Sequence, residues 1–290
     1  MTRIPTGYDI PTDASISDTD LKTRLMAEHK QTDVKKSKFP TEIIPLPSKG
    51  LVYPEGHPLA EGVIEMKYMT AREEDILTSQ NLIKQGVVLD KLFESLIVTP
   101  INYGDLYIGD KNAIMVAARI LGYGKDYVVE VDDPFSPGNK QKVTIDLTQI
   151  EHKEVDTSSF ERRVNEFDFE LPLSKRVLTF RLMTHGIEKE IQAEIKSMNK
   201  TFVKTGIDKE LTTRLKHLII AIDGESGRAT VNNFVDNELF AADSRALRQH
   251  IREFSPDLDM SFTFISDITG DVKEMDIPME VSFFWPSTWL

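Results

Sequence analysis

The chain contains no cysteine. That excludes a disulfide framework, a thiolate metal site and a cysteine nucleophile together, so stability has to come from packing. Long apolar runs are also missing. None approaches the roughly 20 residues of a membrane-spanning helix, and the opening MTRIPTGYDIPTDAS lacks the apolar segment of a secretory leader. The expectation is a cytoplasmic protein with no membrane partner. Basic residues are in deficit, 35 Lys and Arg against 47 Asp and Glu, for a formal charge of −12. Such a field opposes the wrapping of nucleic acid over most of the surface. Tryptophan is the scarcest residue after cysteine: Trp285 and Trp289 both stand in the closing VSFFWPSTWL.

What is present suits a folded chain of 290 residues, with apolar and charged fractions near those of globular proteins. Residues 1–40, rich in Thr, Asp, Ser and Lys, read as a flexible arm with one transient helical turn around Leu21, Leu25 and Met26. IIPLPSKGLVYP reads as extended chain and turns, and Ile64, Met66 and Tyr68 alternate as in a half-buried strand. Thr70 with Glu73 is a capping box, opening a helix expected to run to Gly86. VLDKLFESLI and DKNAIMVAARIL give two more helices, the latter with Ile114, Ala117, Ala118 and Leu121 on one face. YVVEVDDPFSPGNKQKVTIDL reads as a hairpin around Gly138.

A second hairpin has Phe167, Phe169 and Leu171 on one arm and Leu178, Phe180 and Leu182 on the other. Ile187, Ile191, Ile195, Met198 and Phe202 then form one helical stripe. Leu211, Leu215, Leu218 and Ile222 form the next, with Asp223 and Gly224 as its stop. A last helix through Leu247, Ile251 and Phe254 leads to a closing hairpin around Gly270. The fold class is therefore α+β, mainly helical with several two-stranded hairpins. The expected division is an arm over 1–40, an α+β domain over 41–155 and a second over 156–290. The helix, strand, Gly turn and strand around Gly138 recur around Gly270, so the two halves are weakly similar.

Catalytic motifs are sparse. The six histidines are scattered without metal-ligand spacing. GYGKDY lacks the strand and spacing of a phosphate loop, and GESGR is no nucleophile elbow. Asp132 with Asp133, and Asp257 with Asp259, are acidic pairs of a kind that either holds a cation or is simply solvated. The expectation is a non-enzyme with no cofactor and no metal.

Two places point to protein binding. In FFWP, strand alternation sends Phe283 and Trp285 to one side and Phe284 to the other, more apolar surface than a two-stranded ribbon covers. With Trp289 and Leu290 beyond Pro286, these aromatics are candidate interface anchors. Arg245, Arg248 and Arg252 share one face of the last helix. They are either a solvated stripe or a docking face for an acidic partner, because guanidinium groups bind carboxylates through forked bonds.

IPLPSKGLVYP, MTAREEDIL, DKNAIMVAARILGYGKDY and FFWP resemble the baseplate hub and hub-assembly family of T-even-like contractile-tailed bacteriophages, over most of the chain after residue 40. The resemblance implies a structural or assembly protein of the central baseplate, with hub proteins or the tape-measure protein as partners and a homo-oligomer as a further option. It places the chain in the host cytoplasm during assembly and in the virion tail if it is retained. The alternative is a transient chaperone for the tape-measure protein; a cryptic hydrolase is a remote third reading. Members of the family carry cysteine pairs at the two hairpin turns, like small zinc knuckles. Here those places read DDPFSPG and SDITGD, without cysteine.

Overall fold

The computed structural model describes residues 39–157, 160, 164–201, 209–279 and 283–285. The expected arm lies outside them except for its last two positions. β1 (Thr41–Pro45) pairs antiparallel with β2 (Val63–Lys67), Ile44 opposite Ile64. The proline-rich stretch between them folds into consecutive tight turns. Glycine is required at position 50, where φ is +75° and a Cβ would lie 2.3 Å from the Ala60 carbonyl oxygen. Asp110 pins this loop from the neighbouring helix. Its Oδ1 accepts the Ser48 amide at 2.9 Å, and its Oδ2 accepts the Ser48 and Tyr53 hydroxyls, each at 2.7 Å.

The capping box opens α1 (Ala71–Thr78). Glu73 Oε2 accepts the Thr70 amide and hydroxyl, while Oε1 accepts Lys67 Nζ and Ser95 Oγ. The helix does not run on to Gly86. Ser79 takes extended angles and breaks it from α2 (Gln80–Gln85), which Gly86 ends in the left-handed region. α3 (Val88–Leu96) and α4 (Ile108–Tyr123) follow, burying Leu92, Phe93 and Leu96 on one and Ile114, Ala117 and Ala118 on the other.

β3 (Asp126–Asp132) and β4 (Lys140–Asp146) form the expected hairpin, with Tyr127, Val129 and Val131 buried at alternate positions. Its counterpart, β9 (Ser261–Ile265) with β10 (Val272–Asp276), pairs Val272 with Ile265. The order of helix, strand, turn and strand thus does occur twice, and the two turns meet. The Ser266 hydroxyl donates to Asp133 Oδ2 at 2.6 Å, and the Gln141 side chain bridges Ile265 O and the Asp267 amide. Each turn also folds onto its own first side chain: the Phe135 amide donates to Asp133 Oδ1, and the Ile268 and Thr269 amides donate to Ser266 Oγ. Direct hydrogen bonds thus join the two hairpins at their turns.

The hairpin of β5 (Phe167–Glu170) and β6 (Val177–Phe180) is not two-stranded by itself. β7 (Ile219–Ile222) and β8 (Glu225–Ser226) extend it into a four-stranded antiparallel sheet in the order β5-β6-β7-β8. α5 (His185–Thr201) buries Ile187 and Ile191; Phe202 lies outside the described residues. α6 (Glu210–Leu218) ends four residues before the expected Ile222, and Leu211 is exposed. The helical spacing of Leu215, Leu218 and Ile222 gives way to the β-branched run IIAI, which buries its face in the sheet. Asp223 and Gly224, both at positive φ, form the β7–β8 hairpin turn and do not cap a helix. The short α7 (Arg228–Asn233), a π-helical turn over Phe234–Glu238 and α8 (Ala241–Phe254) complete this part.

The boundary expected at 155/156 does not divide the core. One apolar cluster runs from Leu46 through Phe93, Tyr127 and Phe180 to Phe284, and Pro40–Leu290 forms a single compact unit. Isolated bridges pair Tyr107 with Thr184 and His152 with Leu258, and Asn112 donates to Asp257. A Cβ at Gly109 would lie 2.1 Å from the Pro256 carbonyl oxygen, so only glycine lets α4 meet the chain leaving α8 at that point. Among the described residues, no helix is long and apolar enough to cross a membrane.

Candidate docking site

Phe283 and Phe284 are not the exposed interface anchors that their sequence suggests. They are 1% and 3% exposed, and they lie in a short turn beyond β10 where strand alternation does not apply. Phe283 meets the Tyr127 ring edge-on at 5.1 Å between centroids, and Phe284 meets Phe93 at 6.0 Å. Trp285 is half-buried, and its Nε1 donates to the Leu77 carbonyl at the end of α1 at 3.0 Å. The cover that a two-stranded ribbon lacks comes from α1, α3 and β3 of the same chain. Trp289 and Leu290 lie outside the described residues.

The arginine face of α8 is where the spacing puts it. Arg245, Arg248 and Arg252 are all exposed, and the opposite face carries the buried Leu247. Spaced three and four residues apart, they span roughly 10 Å along the helix. α8 is held at both ends. At its start, Asp243 accepts the Leu173 and Ser174 amides of the β5–β6 turn at 2.8 and 3.0 Å. Burial works to raise the Asp243 carboxyl, yet these amides outweigh it and hold the group below the ordinary carboxylate range. At its end, Phe254 stacks on Phe160 at 4.6 Å and His250 on Phe169 at 4.4 Å. Lys153 reaches across from a distant segment to donate to the Arg252 carbonyl, adding a cation at the helix C-terminus.

Most of the other described arginines differ from this row, Arg72 on α1 being exposed and outside any ion pair as well. Arg176, Arg214 and Arg228 hold carboxylates at 2.7 to 3.0 Å, and Arg119 and Arg181 donate to backbone carbonyls. No carboxylate among the described residues lies within ion-pair distance of Arg245, Arg248 or Arg252; Arg248 only donates back to the Ser244 carbonyl. Sequence spacing found the row. It could not find Lys153, which stands about a hundred residues earlier and arrives through the His152–Leu258 bridge. Beyond the row, a groove of about 540 Å³ opens between Lys49, Lys153, Glu154, Asp156 and Pro256, of mixed charge.

The remaining titratable clusters bind the fold together. Lys111 Nζ lies 2.7 Å from Asp90 and 3.2 Å from His185 Nδ1, joining α3, α4 and α5. Burial, reinforced by Lys111, lowers the His185 pKa and favours the neutral ring. Glu194 joins α5 to α6 and α7 through His217 at 2.9 Å and Arg228 at 3.0 Å. Of the acidic pairs singled out in the sequence, Asp133 is engaged by Ser266 and Asp257 by Asn112. No group of His, Asp and Glu with metal-binding geometry occurs among the described residues. No protein-family profile, curated protein or solved structure matches the chain.

Proposed function

We propose that the chain is a non-enzymatic structural or assembly component of the central baseplate hub of a contractile-tailed bacteriophage, acting by binding other proteins. The observation that carries this reading is the convergence of the four stretches behind the resemblance. Ser48 of IPLPSKGLVYP is bonded to Asp110 of DKNAIMVAARILGYGKDY, Tyr127 of that stretch packs on Phe283 of FFWP, and Trp285 bonds Leu77 of MTAREEDIL. Residues 60 to 200 positions apart thus build one framework, and their polar side chains are used in fixing it. Stretches with a common structural purpose support descent from a scaffold protein more than from an enzyme. The exposed arginine row gives such a scaffold a face to offer a partner.

Ile265 and Val272, directly paired, and Ile268 in the turn between them are 55%, 61% and 61% exposed. Apolar groups held at a hairpin tip also suit the second reading, a chaperone that shields the tape-measure protein. Mass spectrometry of purified tail particles separates the two. Stoichiometric peptides of this chain in the particle support the hub component. Their presence in assembling cells and absence from particles supports the chaperone, and failure to associate with any tail protein in either setting overturns both.

A further inference from the structure

We propose that Arg245, Arg248 and Arg252, with Lys153 at the helix end, form a docking row for an acidic helical segment of a partner protein. The inference rests on reading the chain as a protein-binding scaffold and adds the partner's chemistry. Three features on the page lead to it. First, no carboxylate among the described residues pairs with any of the three, in a chain of 47 acidic residues, although Arg176, Arg214 and Arg228 have each found carboxylates nearby. Second, the row is rigidly presented. The Asp243 bonds fix its start, and the Phe160, Phe167 and Phe254 cluster fixes its end, with Phe254 meeting the other two rings at 4.6 and 4.8 Å. Guanidinium groups on a fixed helix lose less freedom on binding than the same groups on a loop.

Third, the spacing selects the ligand. Cations at positions i, i+3 and i+7 repeat at the interval of a helix face, so carboxylates at the same interval on a second helix meet them one to one. The cation contributed by Lys153 extends the line past the last turn. A nucleic acid strand offers phosphates at a different interval, and its length would carry it over the acidic remainder of the surface. Arginine serves this purpose better than lysine because its planar fork grips a carboxylate with two parallel bonds.

The test is a fluorescence anisotropy titration of the full chain with a labelled alanine-based helical peptide bearing Glu at i, i+3 and i+7. A control peptide carries Gln at those positions, and a single-stranded DNA oligonucleotide serves as the rival probe. The Glu peptide should bind, weaken with added salt, and lose at least about tenfold in affinity when Arg245→Glu, Arg248→Glu and Arg252→Glu are combined. The Lys replacements should retain only part of it. Because the face is exposed, the variants should keep the parent's circular dichroism and melting temperature, and that match shows that a lost signal is not lost folding. Equal binding of the Gln peptide, indifference to charge reversal, or tighter arginine-dependent binding of the oligonucleotide each overturns the proposal. A chain that associates with no tail protein, in particles or in assembling cells, would instead remove the phage reading and leave this titration standing.

Discussion

The Ser266 hydroxyl donates to Asp133 across 2.6 Å, joining two hairpin turns that stand 133 residues apart in sequence. Both side chains are nearly inaccessible, and Ser266 Oγ also accepts the Ile268 and Thr269 amides. The bond to Ser266 leads the interactions that hold the Asp133 pKa below its ordinary value. Ser266→Ala removes the donor and leaves two amides without their acceptor. A loss of about 2 kcal/mol is expected, the usual cost of unsatisfied buried groups. Urea unfolding measures it, and a Ser266→Ala chain as stable as the parent would show that the turns stay docked without this contact.

Burial of the aromatic end predicts a stability effect where its sequence suggests a binding effect. Phe284→Ala should cost about 3 to 5 kcal/mol, the range for deleting a packed ring. Trp285→Phe, which removes only the bond to the Leu77 carbonyl and some area, should cost about 1 kcal/mol. Differential scanning calorimetry distinguishes these values. An unchanged melting temperature for Phe284→Ala would return the end of the chain to the surface.

What was legible in the sequence is what local spacing encodes. Thr70 and Glu73 stand three apart and meet as a capping box, and Phe167, Phe169, Leu178 and Phe180 alternate and pair as strands. The arginine row follows from helical repeat alone. β7 was hidden because LTTRLKHLIIAI continues a helical pattern through Leu218, while the Asp223-Gly224 signal serves a helix stop and a hairpin turn equally well. The burial of Phe283 and Phe284 was hidden because their cover, Tyr127 and Phe93, comes from about 150 to 200 residues away, and periodicity carries no such information. Lys153 at the end of α8 and Ser266 on Asp133 were unreadable for the same reason.

Glu73 predicts behaviour in acid. Burial would raise its pKa, but hydrogen bonds from Lys67, Thr70 and Ser95 outweigh that and hold it at about 2. A folded pKa below the unfolded value means that this contribution is present above the ordinary Glu range, near pH 4.5, and is lost as pH falls toward 2. Glu73→Gln should destabilise the chain at pH 7 by about 2 kcal/mol, since it removes the carboxylate that accepts Lys67, Thr70 and Ser95. It should also flatten the decline below pH 4.5. Melting curves of both chains across that range provide the check, and parallel declines would show that Glu73 is not responsible.

Asp110 predicts the opposite sign. It is fully buried, outside any ion pair among the described residues and held by Ser48 and Tyr53, with Tyr107 and Asp257 among its neighbours. Burial is the dominant influence and pushes its pKa up to about 6, against the donors that favour the anion. A folded pKa above the unfolded one means that folding favours the proton. The contribution is complete below about pH 4 and disappears as pH rises through 6, a span worth on the order of 3 kcal/mol. Histidines 57, 152, 185 and 250, all lowered by burial, act in the reverse direction as pH falls, so the total curve mixes both. The difference between the parent and Asp110→Asn isolates the carboxyl. That difference should shift in favour of the parent as pH falls from 7 to 5. A constant difference across the interval would mean that Asp110 keeps its charge state throughout and that its three donors outweigh burial.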